Sequence, residues 1–173
     1  MKRLLIGLLV AVLLLSPCGC GSQAEDGNTA ATTTAVASTG EMPTFAVDSA
    51  TAKRGETFTV AVRTENNPGI VSLKLAVEYD AAALELIEAV EQDFADVSYG
   101  PTTKVPFIVN WLDALSPDNA TNGNVTLLVF RVREDAPVGA TSLTLSYDPE
   151  DVFNAAMDGV LFDTRSAQVT VTE

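Results

Sequence analysis

The chain predicts an all-β sandwich, and three observations carry that expectation. Short runs of apolar residues recur at the two-residue period of a strand. Gly, Pro and Asn punctuate those runs every ~8–12 residues, the spacing of antiparallel strands joined by tight connections. Nothing beyond the N-terminal region sustains a helical period. Eight or nine strands, roughly, fit into the length available.

The elements follow in order from Pro43. Thr44 to Val47 is short and apolar, and a Lys53-Arg54-Gly55 turn comes after it. "TFTVAVRTE" (57–65) alternates with Phe58, Val60 and Val62 inward. Asn66-Asn67-Pro68-Gly69 places Pro and Gly where a type II turn requires them. The strand 70–79 sets Val71, Leu73, Leu75, Val77 and Tyr79 on one face; Ser72, Lys74, Ala76 and Glu78 form the other, small and lightly charged. "LELIEAV" (84–90) is a further strand, with enough Ala and Glu to allow a helical turn nearby. "VPFIVNWL" (105–112) puts Val105, Phe107, Val109 and Trp111 inside. "VTLLVFRV" (125–132) lines up Leu128, Phe130 and Val132. A Pro137-Val138-Gly139 turn leads to "SLTLSY" (142–147), and "AQVTVTE" closes the chain.

Residues 1–20, "MKRLLIGLLVAVLLLSPCGC", have a cationic start, an apolar run and a small-residue exit. That is the pattern of a secretory signal; Leu4 to Leu15 is shorter than the roughly 20 apolar residues a membrane span needs. Both cysteines, Cys18 and Cys20, stand at its end, which rules out a disulfide framework within the sandwich. The ending resembles a bacterial lipobox, implying lipidation at Cys20 or Cys18 and an extracytoplasmic protein anchored to the membrane or cell surface; a cleaved signal and free secretion is the alternative. Residues 21–42 are rich in Thr, Ala, Ser and Gly and cannot bury enough surface to fold, so a flexible tether is expected. The partition is therefore signal 1–20, tether 21–42 and domain 43–173.

Composition narrows the chemistry. The chain carries 23 acidic against 10 basic residues, a formal net charge of −13, and Lys2 and Arg3 both fall in the signal. Such a surface repels phosphate backbones, so nucleic acid is excluded as a partner. There is no histidine. That removes Ser-His-Asp and Cys-His catalysis and His- or Cys-bound zinc from the domain. The densest carboxylates, Asp148, Glu150 and Asp151, would need a cleft to act as a glycosidase pair, and short connections supply none. The same loop lacks the alternating ligands of an EF-hand, as does "DNATNGN" (118–124), so both read as solvated turns. No enzyme and no cofactor are expected.

Three stretches together resemble successive strands of a cohesin domain: "GIVSLKLAVEYDAAALEL", "VNWLDALSPDNATNGNVTLLVFRV" and "APVGATSLTLSYDPEDVF". The Tyr-Asp ending one strand, the Leu-x-Leu opening the next and the Phe130-x-Val132 strand end fit in order and spacing over about residues 43–173. The resemblance implies a nine-strand jelly-roll sandwich that binds a dockerin, a small calcium-loaded helical module carried on enzymes that degrade polysaccharides. Calcium would belong to the partner. It also implies a flat binding face built by about 70–79, 96–100, 105–113 and 142–148, with Ser72, Lys74, Ala76, Ile108, Asn110, Leu112 and Asp113 outward. Related cohesins often carry Asn and Asp where Ser72 and Lys74 stand, which would alter the choice of dockerin.

Independently of family, Ile108 and Leu112 on an outward face would form an exposed apolar patch of the kind that marks interfaces. Coverage by residues 91–104 is the competing possibility. A carbohydrate-binding module is the alternative function, and it requires Phe94, Tyr99 and Trp111 to line up outside; the alternation of 105–112 instead places Trp111 in the core. A structural envelope module is a third.

Overall fold

The computed structural model describes residues 41–173. The signal, residues 21–40 of the tether, and Cys18 and Cys20 lie outside the described residues. Eleven strands run in the order β1 (Thr44–Val47), β2 (Ala50–Lys53), β3 (Thr57–Glu65), β4 (Ser72–Tyr79), β5 (Leu84–Glu91), β6 (Ser98–Tyr99), β7 (Phe107–Leu112), β8 (Gly123–Val132), β9 (Gly139–Tyr147), β10 (Asp163–Arg165) and β11 (Ala167–Thr172). A 3-10 turn, Pro149–Asp151, follows β9, with the Asp148 side chain accepting from the Glu150 N–H.

The strands make two sheets that face each other across one core. The first has five strands in the order β10-β1-β3-β8-β5, the second six in the order β2-β11-β9-β4-β7-β6. The inward residues of 70–79 and 107–111 are buried as their alternation requires: Leu73, Leu75, Val77, Phe107 and Val109 are all 0% exposed. Each such aliphatic or aromatic side chain contributes about 1.5–3 kcal/mol on leaving water. At one end of the core, Phe45 stacks on Phe162 at 4.1 Å and meets Tyr147 edge-on at 5.7 Å.

Two strands exceed the nine expected. β2 and β10 are edge strands that sit beside sheet-switching breaks. β1 belongs to the first sheet and β2 to the second, while β10 and β11 repeat the same switch at the other end of the domain. The two segments pair in parallel, Thr44 to Ala46 with Asp163 to Arg165 and Ala50 to Lys53 with Val169 to Thr172. Val105 is also placed differently from expectation: it precedes β7 and is 41% exposed, because the strand begins only at Phe107.

The 66–69 connection does more than turn the chain. Asn66 and Gly69 both have positive φ, 53° and 117°. A Cβ at Gly69 would also stand 2.8 Å from Cβ of Asp118. Asn67 is buried. Its amide donates to the carbonyls of Asn119 and Thr121, its N–H to Oδ1 of Asn122, and its own Oδ1 accepts the Gly69 N–H. This satisfies the side-chain amide and the N–H that burial takes from water. It also ties the loop 118–122 to the start of β4.

Candidate interaction face

The four strands β9, β4, β7 and β6 are consecutive in the six-stranded sheet. Their registers arrange the outward residues into rows. Lys74 stands opposite Asn110, and Asn110 opposite Ser98 on the other side. Ala76 stands between Ile108 and Ser146. Glu78 faces Thr144, and Ser72 faces Leu112. Neighbouring residues in a row have Cβ atoms about 5 Å apart, so these side chains form one continuous surface.

The candidates divide by burial. Lys74, Leu112 and Asp113 are exposed, and Ala76, Ile108 and Asn110 are half-buried. Leu112 is 60% exposed, a large aliphatic side chain left in water at the end of β7. Ser72 lies on the outward side but is buried at 7%. The 3-10 turn folds over it: the Ser72 Oγ–H donates to the Asp151 carbonyl at 2.9 Å, and Phe153 bridges to the Ser72 backbone. Its side chain therefore anchors that turn rather than meeting solvent. Lys74 reaches the same residue, pairing with the Asp151 carboxylate at 3.1 Å.

The remaining polar groups are held locally. Asn110 Nδ2 donates to Ser98 Oγ at 3.4 Å, and the Ser98 hydroxyl donates to the Asn110 carbonyl. Asp113 accepts the Ser116 hydroxyl at 2.6 Å, and its N–H donates to the Val71 carbonyl. Residues 91–104 do not cover the face. They supply β6, which extends the sheet beyond β7, and Gly100 runs beside Ile108 with its N–H donating to the Ile108 carbonyl at 2.8 Å. Ser98, Ser146, Thr144 and Asp151 join the expected set. The first three carry the same outward alternation, whereas the Lys74–Asp151 contact spans 77 residues and leaves no local trace.

Every aromatic residue of the chain is buried or half-buried. Trp111 is 7% exposed and Phe94 5%, meeting edge-on at 5.7 Å, while Tyr99 stacks on Phe107 at 6.2 Å. Tyr99 also buries its hydroxyl without a partner. The three rings that a glycan platform would require are thus turned inward. Beside them, a depression of about 680 Å³ runs along Phe94, Trp111, Leu112, Asp113 and Asn119 at the edge of the face. Among the described residues no group of three or more carboxylates converges as a metal site.

Comparison with known proteins places this architecture. The family model described as "Cohesin domain" matches residues 43–148. Cellulose-binding protein A of Clostridium cellulovorans is 30% identical over 139 residues, which are 74% of this chain and 7% of that protein. The chain thus spans a small part of its curated relative. A chain of a type I cohesin–dockerin complex from Clostridium thermocellum superimposes with a TM-score of 0.67 at 19% identity, covering 76% of this chain and 100% of that one. A non-cellulosomal cohesin from the archaeon Archaeoglobus fulgidus gives 0.64 at 19% identity, covering 77% and 93%. With the two-sheet sandwich and the matched segment both in hand, the chain belongs to the cohesin domain family.

Proposed function

We propose that this cohesin domain is a non-catalytic docking module that binds a dockerin on the outer face of β9, β4, β7 and β6. The observation that carries the reading is the row structure of that face. Small side chains (Ala76, Ser98, Ser146) share these rows with one large exposed aliphatic residue, Leu112, and one exposed cation, Lys74. A helical partner can approach such a surface closely. Leu112 and Ile108 then act as apolar anchors, and Lys74, Asn110 and Asp113 act as a polar rim. Ser72 contributes by holding the Pro149–Asp151 turn in place. The inward aromatics speak against the glycan alternative.

The calcium in this scheme sits on the dockerin, and this chain needs no cofactor. Lipidation at Cys20 or Cys18, with residues 21–42 as tether, would display the domain outside the cell, where a dockerin-bearing polysaccharide-degrading enzyme could be held.

The test is a calorimetric titration of the protein against a panel of calcium-loaded dockerins, repeated with chelator. Saturable binding lost on chelation is expected, and Leu112→Asp should weaken it by about 2 kcal/mol, the size of an interface anchor. Binding untouched by changes at Lys74, Ile108 and Leu112 would remove the face from the scheme. Silence across the panel would remove the dockerin.

A further inference from the structure

A second groove lies away from that face, between the edge of β5 and the loop 101–105. It holds about 510 Å³ and is lined by Tyr79, Leu84, Leu86 and Ile87 on one side and Thr102, Thr103 and Val105 on the other, with Arg131 and Arg133 at its end. None of its lining residues belongs to the sheet face described above. Two features distinguish it.

The first is charge. In a chain of net charge −13, most cations among the described residues already have acidic partners. Arg54, Arg63, Lys74, Arg131 and Arg165 each pair with a carboxylate, and Lys53 donates to the Glu173 main chain. Besides Lys53, the cations left without a carboxylate among the described residues are Arg133, which lines the groove, and Lys104, which stands on the loop of its wall without lining it. Arg133 donates its Nε to the Ala81 carbonyl at 2.8 Å, which fixes the side chain and leaves the rest of its guanidinium without a partner among the described residues. Glu85 is the one carboxylate in the lining, and Arg131 already holds it at 3.6 Å.

The second is shape. β5 ends the five-stranded sheet, and a register shift between Leu86 and Glu88 throws Ile87 outward, leaving it 39% exposed. Such a bulge blunts an edge strand against ladder pairing while presenting a side chain. Val105, 41% exposed, faces the groove from the loop side. The Tyr79 hydroxyl, donating to the Thr102 carbonyl at 3.2 Å, ties that loop to β4. The groove thus has aliphatic lips, a pinned wall and unneutralised cations beside them.

We propose that this groove is a binding site for an acidic peptide segment, with carboxylates at Arg133 and Lys104 and aliphatic side chains against Ile87 and Val105. A guanidinium held by one hydrogen bond with its other donors free is ordered before a carboxylate arrives, and charge-assisted hydrogen bonds of that kind are roughly twice as strong as neutral ones. Amide or hydroxyl ligands would leave both cations uncompensated, so the site discriminates by charge.

The experiment is a fluorescence-polarisation titration of the full chain with a labelled peptide of alternating Glu and Leu, against a control of alternating Gln and Leu. Saturable binding of the first and at least about tenfold weaker binding of the second is expected. Lys104→Gln and Arg133→Gln should each weaken the acidic peptide by about the same factor. Arg165→Gln, on β10 at the opposite edge of the five-stranded sheet, should leave it unchanged. Leu112→Asp should also leave it unchanged, which separates this site from the docking face. Lys104 sits on an exposed loop, so its variant reports binding even if Arg133→Gln disturbs folding. Equal binding of the two peptides, an Arg165 effect matching that of Lys104, or no saturable binding of either peptide would overturn the proposal.

Discussion

Tyr79 shows how one side chain can serve the core and a loop at once. Its ring meets Phe130 edge-on at 5.1 Å, and its hydroxyl reaches the Thr102 carbonyl. Burial raises its pKa above the ordinary 10.0, while the Leu86 main chain and Arg133 pull the other way. The folded protein therefore keeps this proton to higher pH than the unfolded chain does. Its contribution to stability is complete below about pH 10 and is lost as pH climbs through the folded pKa. Tyr79→Phe removes that titration and one hydrogen bond. Urea unfolding should find the variant about 1 kcal/mol less stable at pH 8. The gap should narrow as pH rises beyond about 10. A gap that stays constant to high pH would show that the phenol does not titrate between the two states.

The Pro149–Asp151 turn works as a unit against β4. It uses a main-chain carbonyl for Ser72 and a carboxylate for Lys74, so two alternate outward residues of one strand are held by a single residue, Asp151. The two contacts differ in kind. The hydroxyl bond is buried on the Ser72 side; the ion pair is half-exposed at both ends, with side-chain exposures of 50% and 38%. Exposed pairs contribute about 0–1 kcal/mol, so Asp151→Ala should change the unfolding midpoint little. What changes is the freedom of Lys74. A partner that offers Lys74 a carboxylate should bind more tightly to Asp151→Ala, because it no longer competes with an internal acid. A double-mutant cycle with Lys74→Met checks this: the gain should vanish in the Lys74→Met background. Persistence of the gain there would place its origin in the turn itself.

Across the whole molecule, repulsion among acids opposes the packing of the sandwich. The surface ion pairs, Arg63 with Asp48 and Glu65, Arg165 with Glu65, and Arg54 with Glu173, engage only some of the 23 acids. Net self-repulsion is long-ranged and falls with the Debye length, whereas exposed pairs contribute little to begin with. Raising salt from about 10 to about 150 mM should therefore raise the thermal midpoint by a few degrees, measured by calorimetry. A fall would mean that local pairs outweigh the global field.

The division between what was legible in the chain and what was not follows from the range of the interactions. Inward faces such as Leu73, Leu75, Val77 and Phe107, Val109, Trp111 were readable because a strand's period is local, and burial of one parity is enough to specify it. The same parity identified Ile108, Asn110 and Leu112 as outward, and the order of these segments carried the family resemblance. β2 and β10 left no such trace: β2 has a single buried residue, Ala52, and β10 has none. They are strands only because β11 and β1 lie alongside them, partners that come from the far end of the chain. Ser72 and Lys74 likewise carry the same alternation, yet one is buried and the other exposed. That distinction was made by the 3-10 turn arriving from 77 residues away, as was the groove at Arg133 by the meeting of β5, β8 and the loop 101–105. Periodicity along the chain by itself determined the sandwich and its two faces; which outward residues stay open to a partner was decided only by long-range packing, because coverage depends on what the rest of the chain lays over them.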